Sequence, residues 1–252
     1  MKRIIVIAAL MSAVLSGAAT AATPAYIQKA ISDPKRPPED TKRDPQRIPA
    51  ELMEFAGIRP GMTVVDLLPG TGYFTRPFAT AVGPKGRVYA YFGVQYDARL
   101  LAAKPPQDPD NQFADLKAQY SNLDVIHGPL DQFVTPEKVD LIWTADNYHD
   151  THNKAYNTNV AAMDKAIFNS LKPGGYFVVV DHRAAKGAGA GSTEALHRQD
   201  EDIAKQEIEA AGFKLVAESK MLTRPQDDDT KRVFEEGEHD HTDQMVLKFR
   251  KP

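Results

Sequence analysis

Five short apolar runs that do not alternate with polar residues constrain this chain most. They are Thr63–Leu68 (TVVDLL), Arg87–Phe92 (RVYAYF), Leu123–His127, Val139–Ala145 (VDLIWTA) and Tyr176–Asp181 (YFVVVD). A strand with one wet face would alternate. Strands buried on both faces do not, and such strands belong to parallel sheets covered by helices. Segments with helical spacing lie between them: Ile48–Ile58, Tyr73–Val82, Asp97–Ala103, Gln112–Tyr120, Asn159–Leu171 and Asp200–Ala211. Pro60-Gly61, Gly83-Pro84, Lys172-Pro173-Gly174-Gly175 and Gly212 stop four of them. Two strands in succession, Phe213–Met221 and Gln244–Lys251, predict an antiparallel hairpin at one edge. The expected fold is a three-layer α/β/α, doubly wound, Rossmann-like domain.

The remainder of the chain sets the context. Lys2 and Arg3 precede an apolar stretch, Ile4–Leu15, and the small residues Ala19-Thr20-Ala21 follow. This is the layout of a secretory signal peptide over 1–21, too short for a bilayer span of ~20 residues. The expected product is exported, periplasmic or secreted, and not stably inserted in a membrane. Residues 22–46 carry Pro24, Pro34, Pro37, Pro38 and Pro45 and read as an extended Pro-rich arm with one helical turn around Tyr26–Ile31. Residues 47–252 form the main domain. The 252 residues include no cysteine, which excludes disulfides, Cys-ligated metals and thiol nucleophiles. A net charge of -3 argues against nucleic acid as a partner.

Chemistry is expected where the strands end, because ligands of open α/β sheets bind beyond the carboxyl ends. The first strand runs through Asp66 into Pro69-Gly70-Thr71-Gly72, and a helix follows. Glycines there let backbone approach a ligand, and the helix start offers free N–H groups. Thr75 stands where a dinucleotide G-x-G-x-x-G needs its third glycine, and no phosphate-binding P-loop occurs. After the fourth strand comes Asp146-Asn147-Tyr148-His149, and the fifth leads into Asp181-His182-Arg183. Neighbouring strands would bring these polar residues together.

The stretch VVDLLPGTGYFTRPFATAVGPKGRVYAYF resembles the first βαβ unit of class I S-adenosylmethionine-dependent methyltransferases. VDLIWTADNYHD, LKPGGYFVVVDHRA and AAGFKLV resemble later segments of that family in the right order. The chain is most similar to exported methyltransferases of unassigned substrate, through Pro69-Gly70-Thr71-Gly72-Tyr73, Asn147-Tyr148-His149 and Asp181-His182-Arg183-Ala184. The resemblance implies a seven-stranded sheet of order 3-2-1-4-5-7-6 with strand 7 antiparallel. It implies S-adenosylmethionine as cofactor and an unidentified, small-molecule acceptor. On this reading Asp66, Pro69, Gly70, Thr71, Gly72, Tyr73 and Asn147 bind the cofactor. The family's acidic residue at the end of strand 2 is missing, its place held by Tyr91-Phe92-Gly93, so Tyr91 and Phe92 are expected to carry the adenosine. The family's usual first loop glycine is Leu68. His149 is expected to act as base, oriented by Asp146 or Asp181, with His182 beside it. No metal ligand is assigned.

Two other readings use the same residues. One is a methyltransferase-like binding or accessory module without methyl transfer. The other is a metal-assisted hydrolase or lyase on His149, His152 (H-x-x-H) and His182. Ala184–Ser192 reads as a lid or a linker, and Trp143 as core. Asp227-Asp228-Asp229 and His239-Asp240-His241 read as solvated loops.

Overall fold

The computed structural model describes residues 22–104, 106–108, 113–235 and 240–252. The expected signal peptide, Pro105, Pro109 and His239 lie outside the described residues.

Seven strands form one sheet in the order β3-β2-β1-β4-β5-β7-β6. They are β1 Thr63–Leu67, β2 Arg87–Gly93, β3 Leu123–Gly128, β4 Val139–Ala145, β5 Leu171–His182, β6 Lys214–Ser219 and β7 Gln244–Arg250. The first five pair in parallel, and β7 runs antiparallel to both β5 and β6. All five residues of β1 are buried, as a central strand covered on both faces must be. β6, at the edge, alternates between exposed and half-buried residues instead. This is the predicted sheet, including the reversed last strand.

Helices α1 Ala25–Ile31, α2 Pro38–Thr41, α3 Asp44–Arg47 and α4 Pro49–Ala56 precede β1. Then come α5 Thr75–Val82, α6 Val94–Leu101, α7 Ala114–Gln119, α8 Val160–Ser170, α9 Gly191–Leu196 and α10 Glu201–Ala210. Local chemistry sets their ends. Asn159 caps α8 by accepting the Ala162 N–H at 3.1 Å, and Asp200 caps α10 through the Asp202 N–H at 3.0 Å. Two apolar layers result, one on each face of the sheet. Phe74, Phe78, Trp143 and Val178 belong to the first, and Val65, Ile142, Ile167, Phe177 and Ile208 to the second.

The structure changes two expectations about local form. Residues 22–46 are not an extended arm: α1 packs on α5, with Ile27 and Ala30 fully buried. The prolines do not prevent this, because those within helices stand in the first turn, where no intrahelical N–H is needed. The Tyr26 hydroxyl donates to the Ile58 carbonyl at 2.9 Å, and Arg36 makes a two-pronged ion pair with Asp44. Asp227 is likewise no solvated residue. It pairs with Arg198, both side chains almost wholly buried, while Asp228 accepts from the Thr230 hydroxyl. Trp143 is core, as expected.

Because α1 is bound into the core, Ile27→Ala should lower stability by about 2–4 kcal/mol, as buried Ile-to-Ala changes do. Urea unfolding would show this as one cooperative transition at lower denaturant. A loss below ~0.5 kcal/mol would mean that α1 lies outside the cooperative unit.

Candidate functional site

The turn after β1 builds the floor of a cavity. Leu68, Gly70 and Gly72 all have left-handed backbones, at φ 57°, 56° and 87°. Glycine tolerates that conformation, but for leucine it costs roughly 1–2 kcal/mol. Leu68 is pinned from both sides: its N–H donates to the Tyr91 carbonyl at 2.9 Å, and its carbonyl accepts from Asn147 Nδ2 at 2.9 Å. Its side chain is buried in the second apolar layer. The two glycines differ. A Cβ on Gly72 would lie 3.1 Å from Leu116 and 3.2 Å from Phe113, whereas one on Gly70 would meet no atom of the described residues within 4 Å.

Below the turn, Asp66 accepts from the Thr75 hydroxyl at 2.6 Å, tying the strand to the start of α5. Burial raises the Asp66 carboxyl to about 7, against the Thr75 hydrogen bond and the nearby Arg47 charge. Above it stands the N-terminal segment. The Tyr73 hydroxyl donates to Asp44 at 2.6 Å, and the guanidinium of Arg47 lies 4.5 Å from the Tyr73 ring centre. Arg47 also pairs with Asp146 at 2.6 Å, across 99 residues of sequence. Asp146 has φ 61° at the end of β4, and its other oxygen accepts from Gln244 Nε2 at 2.6 Å.

These groups surround a cavity of about 210 Å³. Of the predicted residues, Asp66, Pro69, Gly70, Thr71, Tyr73, Asp146 and Asn147 line it. The sequence reading missed Arg43, Arg47, Phe74, Asp150 and Phe234, which line it too. Nothing local marks the two arginines: they reach the cavity only because α3 folds back over the turn.

Other predicted residues stand behind the wall. Tyr91 and Phe92, expected to carry the adenosine, are core side chains that present no exposed ring face among the described residues. Both are buried to within 2 % and face opposite sides of the sheet, as successive strand residues must. Tyr91 packs on Phe133 at 4.5 Å, and Phe92 stacks on His127 at 5.4 Å. Gly72 is backed by Phe113 and Leu116. The carboxylate of Asp97, which follows β2, lies 2.8 Å from His127 Nδ1.

His149, Asp181 and His182 do converge, but inside the protein. Asp181 accepts the His149 backbone N–H at 2.7 Å and faces its Nδ1 at 2.7 Å. Asp146 does not orient His149. His182 Nδ1 lies 2.6 Å from the Thr242 hydroxyl. Burial opposes charge on His149, yet Asp181 and Asp150 outweigh it and raise the imidazole to about 10. A ring 1 % exposed and already protonated near neutral pH is no free general base. The expected H-x-x-H pair also separates: His152 Nε2 turns to Glu207 on α10 at 2.8 Å. In its place His149, Asp150 and His197 come together. His197 ends α9, within the stretch that follows the predicted lid or linker.

No family model matches the chain. Over 133 residues it is 32% identical to the ubiquinone/menaquinone biosynthesis C-methyltransferase UbiE of Hydrogenovibrio crunogenus, covering 51% of this chain and 45% of that one. The protein of the same name from Shewanella piezotolerans is 26% identical over 200 residues, covering 78% and 66%. The chain thus spans about half to two thirds of the curated relatives it matches. Among solved structures, a SAM-dependent methyltransferase from Aquifex aeolicus aligns with a TM-score of 0.54 at 17% identity, over 85% of this chain and 97% of that one. The 1,6-didemethyltoxoflavin-N1-methyltransferase of Burkholderia thailandensis aligns at 0.52 with 18% identity, over 84% and 79%. Fold and strand order together are those of class I S-adenosylmethionine-dependent methyltransferases.

Asp66 holds its proton more tightly in the folded chain than in the unfolded one. The native state therefore loses stability as pH rises from about 4 to about 7. Asp66→Asn removes that titration. Relative to the parent it should gain up to ~4 kcal/mol across this window and nothing further above it. Urea unfolding of both proteins at the two ends of the window reads the difference, and a constant gap would refute the assignment.

Proposed function

We propose that this protein is an S-adenosylmethionine-dependent methyltransferase acting on a small-molecule acceptor. The observation that carries the reading is the glycine turn between β1 and α5, whose Gly70 lines the cavity together with Asp66, Asp146 and Asn147. That turn sits at the strand ends where such sheets bind ligands. The relatives and the solved neighbours support the same class.

The cofactor would supply an electrophilic methyl group on a sulfonium sulfur. This chain's residues would bind and align the partners and keep water out, the effects that carry most of such a rate. Gly70 lets backbone approach, and Asn147 holds the turn through the Leu68 carbonyl. The cavity is smaller than the roughly 300–1,000 Å³ usual for small-molecule sites. Arg43 and Arg47 account for this by reaching in from the N-terminal segment. The Arg47–Asp146 ion pair is the contact that an incoming ligand must open. Opening it would also release the Asp146 carboxylate to the acceptor, a role that buried His149 does not fill.

The acceptor is read as a small molecule because the cavity is compact and the chain's net charge is negative. Export of the chain is part of the proposal. It rests on Lys2, Arg3, the apolar stretch to Leu15 and Ala19-Thr20-Ala21. No helix of the described residues is long and apolar enough to cross a membrane.

Calorimetric titration of the chain from Ala22 with S-adenosylmethionine and S-adenosylhomocysteine tests the cofactor. Micromolar binding is expected, with or without chelator, and no binding in either condition would overturn the reading. Gly70→Val should weaken binding at least tenfold with the fold kept, because its side chain fills the cavity. The left-handed backbone there adds ~1–2 kcal/mol of strain. Gly72→Val meets Phe113 and Leu116 and should chiefly lower stability, by about 2–4 kcal/mol. Unchanged affinity in Gly70→Val would remove the turn from the account.

A further inference from the structure

We propose that His149, Asp150 and His197 form a binding site for one first-row divalent metal ion, of the zinc type, at the edge of the cavity. Asp150 Oδ1 lies 3.4 Å from His149 Nε2 and 3.3 Å from His197 Nδ1. The three ligand atoms all fall within 4.8 Å of one another. Around a tetrahedral ion with bonds of ~2.0–2.1 Å, ligand atoms stand ~3.3 Å apart, so two of the three edges already have the required length. Both nitrogens are buried and have no hydrogen-bond partner among the described residues. The His149 ring is 1 % exposed. Buried polar atoms are ordinarily paired, and here Asp150 Oδ1 is the shared neighbour of both nitrogens without making a well-formed hydrogen bond to either.

The surroundings are those of a metal site. Asp181 faces His149 Nδ1 at 2.7 Å and so directs Nε2 toward the cluster, the carboxylate–histidine support that metal ligands ordinarily have. Asn153 Nδ2 donates to Asp150 Oδ1 at 2.9 Å and orients it. Binding would replace any proton on Nε2 by the ion and release it to solvent. Three protein ligands leave one position open, and Asp150 itself lines the cavity. One group opposes the site. Arg232 Nη2 lies 3.0 Å from His197 Nε2, a nitrogen that must carry the proton when Nδ1 binds a cation. Arg232 is exposed and its side chain can turn away. The site does not depend on which molecule occupies the cavity, so it stands or falls apart from the proposed function.

Zinc titration of the purified, metal-free protein by calorimetry is the test, with metal content measured after dialysis. One zinc per chain is expected. His197→Asn, which suits the left-handed backbone at φ 54°, should weaken binding at least tenfold, and Asp150→Asn should do the same. Arg232→Ala should tighten it, since it removes a competing donor and a positive charge. The paired change His239→Ala/His241→Ala should leave affinity as it was. Melting curves of the metal-free variants check the fold, and Asp150→Asn decides the matter if His197→Asn is unfolded. Absence of stoichiometric zinc would overturn the site. So would affinity unchanged in both His197→Asn and Asp150→Asn, or affinity that disappears only with the His239/His241 pair.

Discussion

The ligand edge of this sheet is organised by one buried carboxylate. Asp181 closes β5 with no exposure, and both of its oxygens are occupied. One accepts the His149 backbone N–H, and the other serves the His149 ring and the His182 backbone N–H. A charge so buried is tolerable only with such partners, since an unpaired one would cost several kcal/mol. The consequence is mechanical. The loop after β4 is fastened to the end of β5, and that sets where Asp146, Asn147 and Asp150 can stand.

A second set of contacts works from the other side of the cavity. Asp44 receives Arg36 and the Tyr73 hydroxyl, and Arg47 lies over the Tyr73 ring before it reaches Asp146. The N-terminal segment is thereby part of the site. Burial and the Asp44 charge push the Tyr73 phenol far above its ordinary range, so it stays a donor at any accessible pH. The turn between these two sets carries backbone strain at Leu68, held by Tyr91 on one side and Asn147 on the other. Strain of this kind persists only where neighbours over-determine the backbone, and it gathers at functional sites.

Much of the fold was legible in the chain. Apolar runs without alternation marked β1 to β5, and glycine and proline marked their borders. The helix ahead of β5 shows the limit of such signals. Lys172-Pro173-Gly174-Gly175 reads as a stop, and α8 does end at Ser170, yet the strand begins at once, at Leu171. Gly174 at φ 78° and Gly175, whose absent Cβ would sit 3.1 Å from the Asp140 carbonyl, let the chain pass the β-bulge there. The helical turn expected around Tyr26–Ile31 is α1, but α2 and α3 were hidden because proline in a first helical turn looks, in sequence, like proline in an extended segment.

By itself the sequence determined the order of strands and helices, the reversed last strand, the glycine turn and the edge where a ligand would bind. These follow from local patterns: burial on two faces, turn chemistry and helix ends. Beyond the expected meeting of His149 with Asp181, which polar groups share a space was decided only by the tertiary structure. His149 and His152 are three residues apart and have different partners, Asp181 and Glu207. His149 and His197 are far apart in the chain and lie with rings 5.4 Å apart. Tyr91 and Phe92 end at a ligand edge and are nonetheless core. The physical reason is the same in each case. A side chain's surroundings are set by elements distant in sequence that pack against it, and no spacing along the chain records that packing.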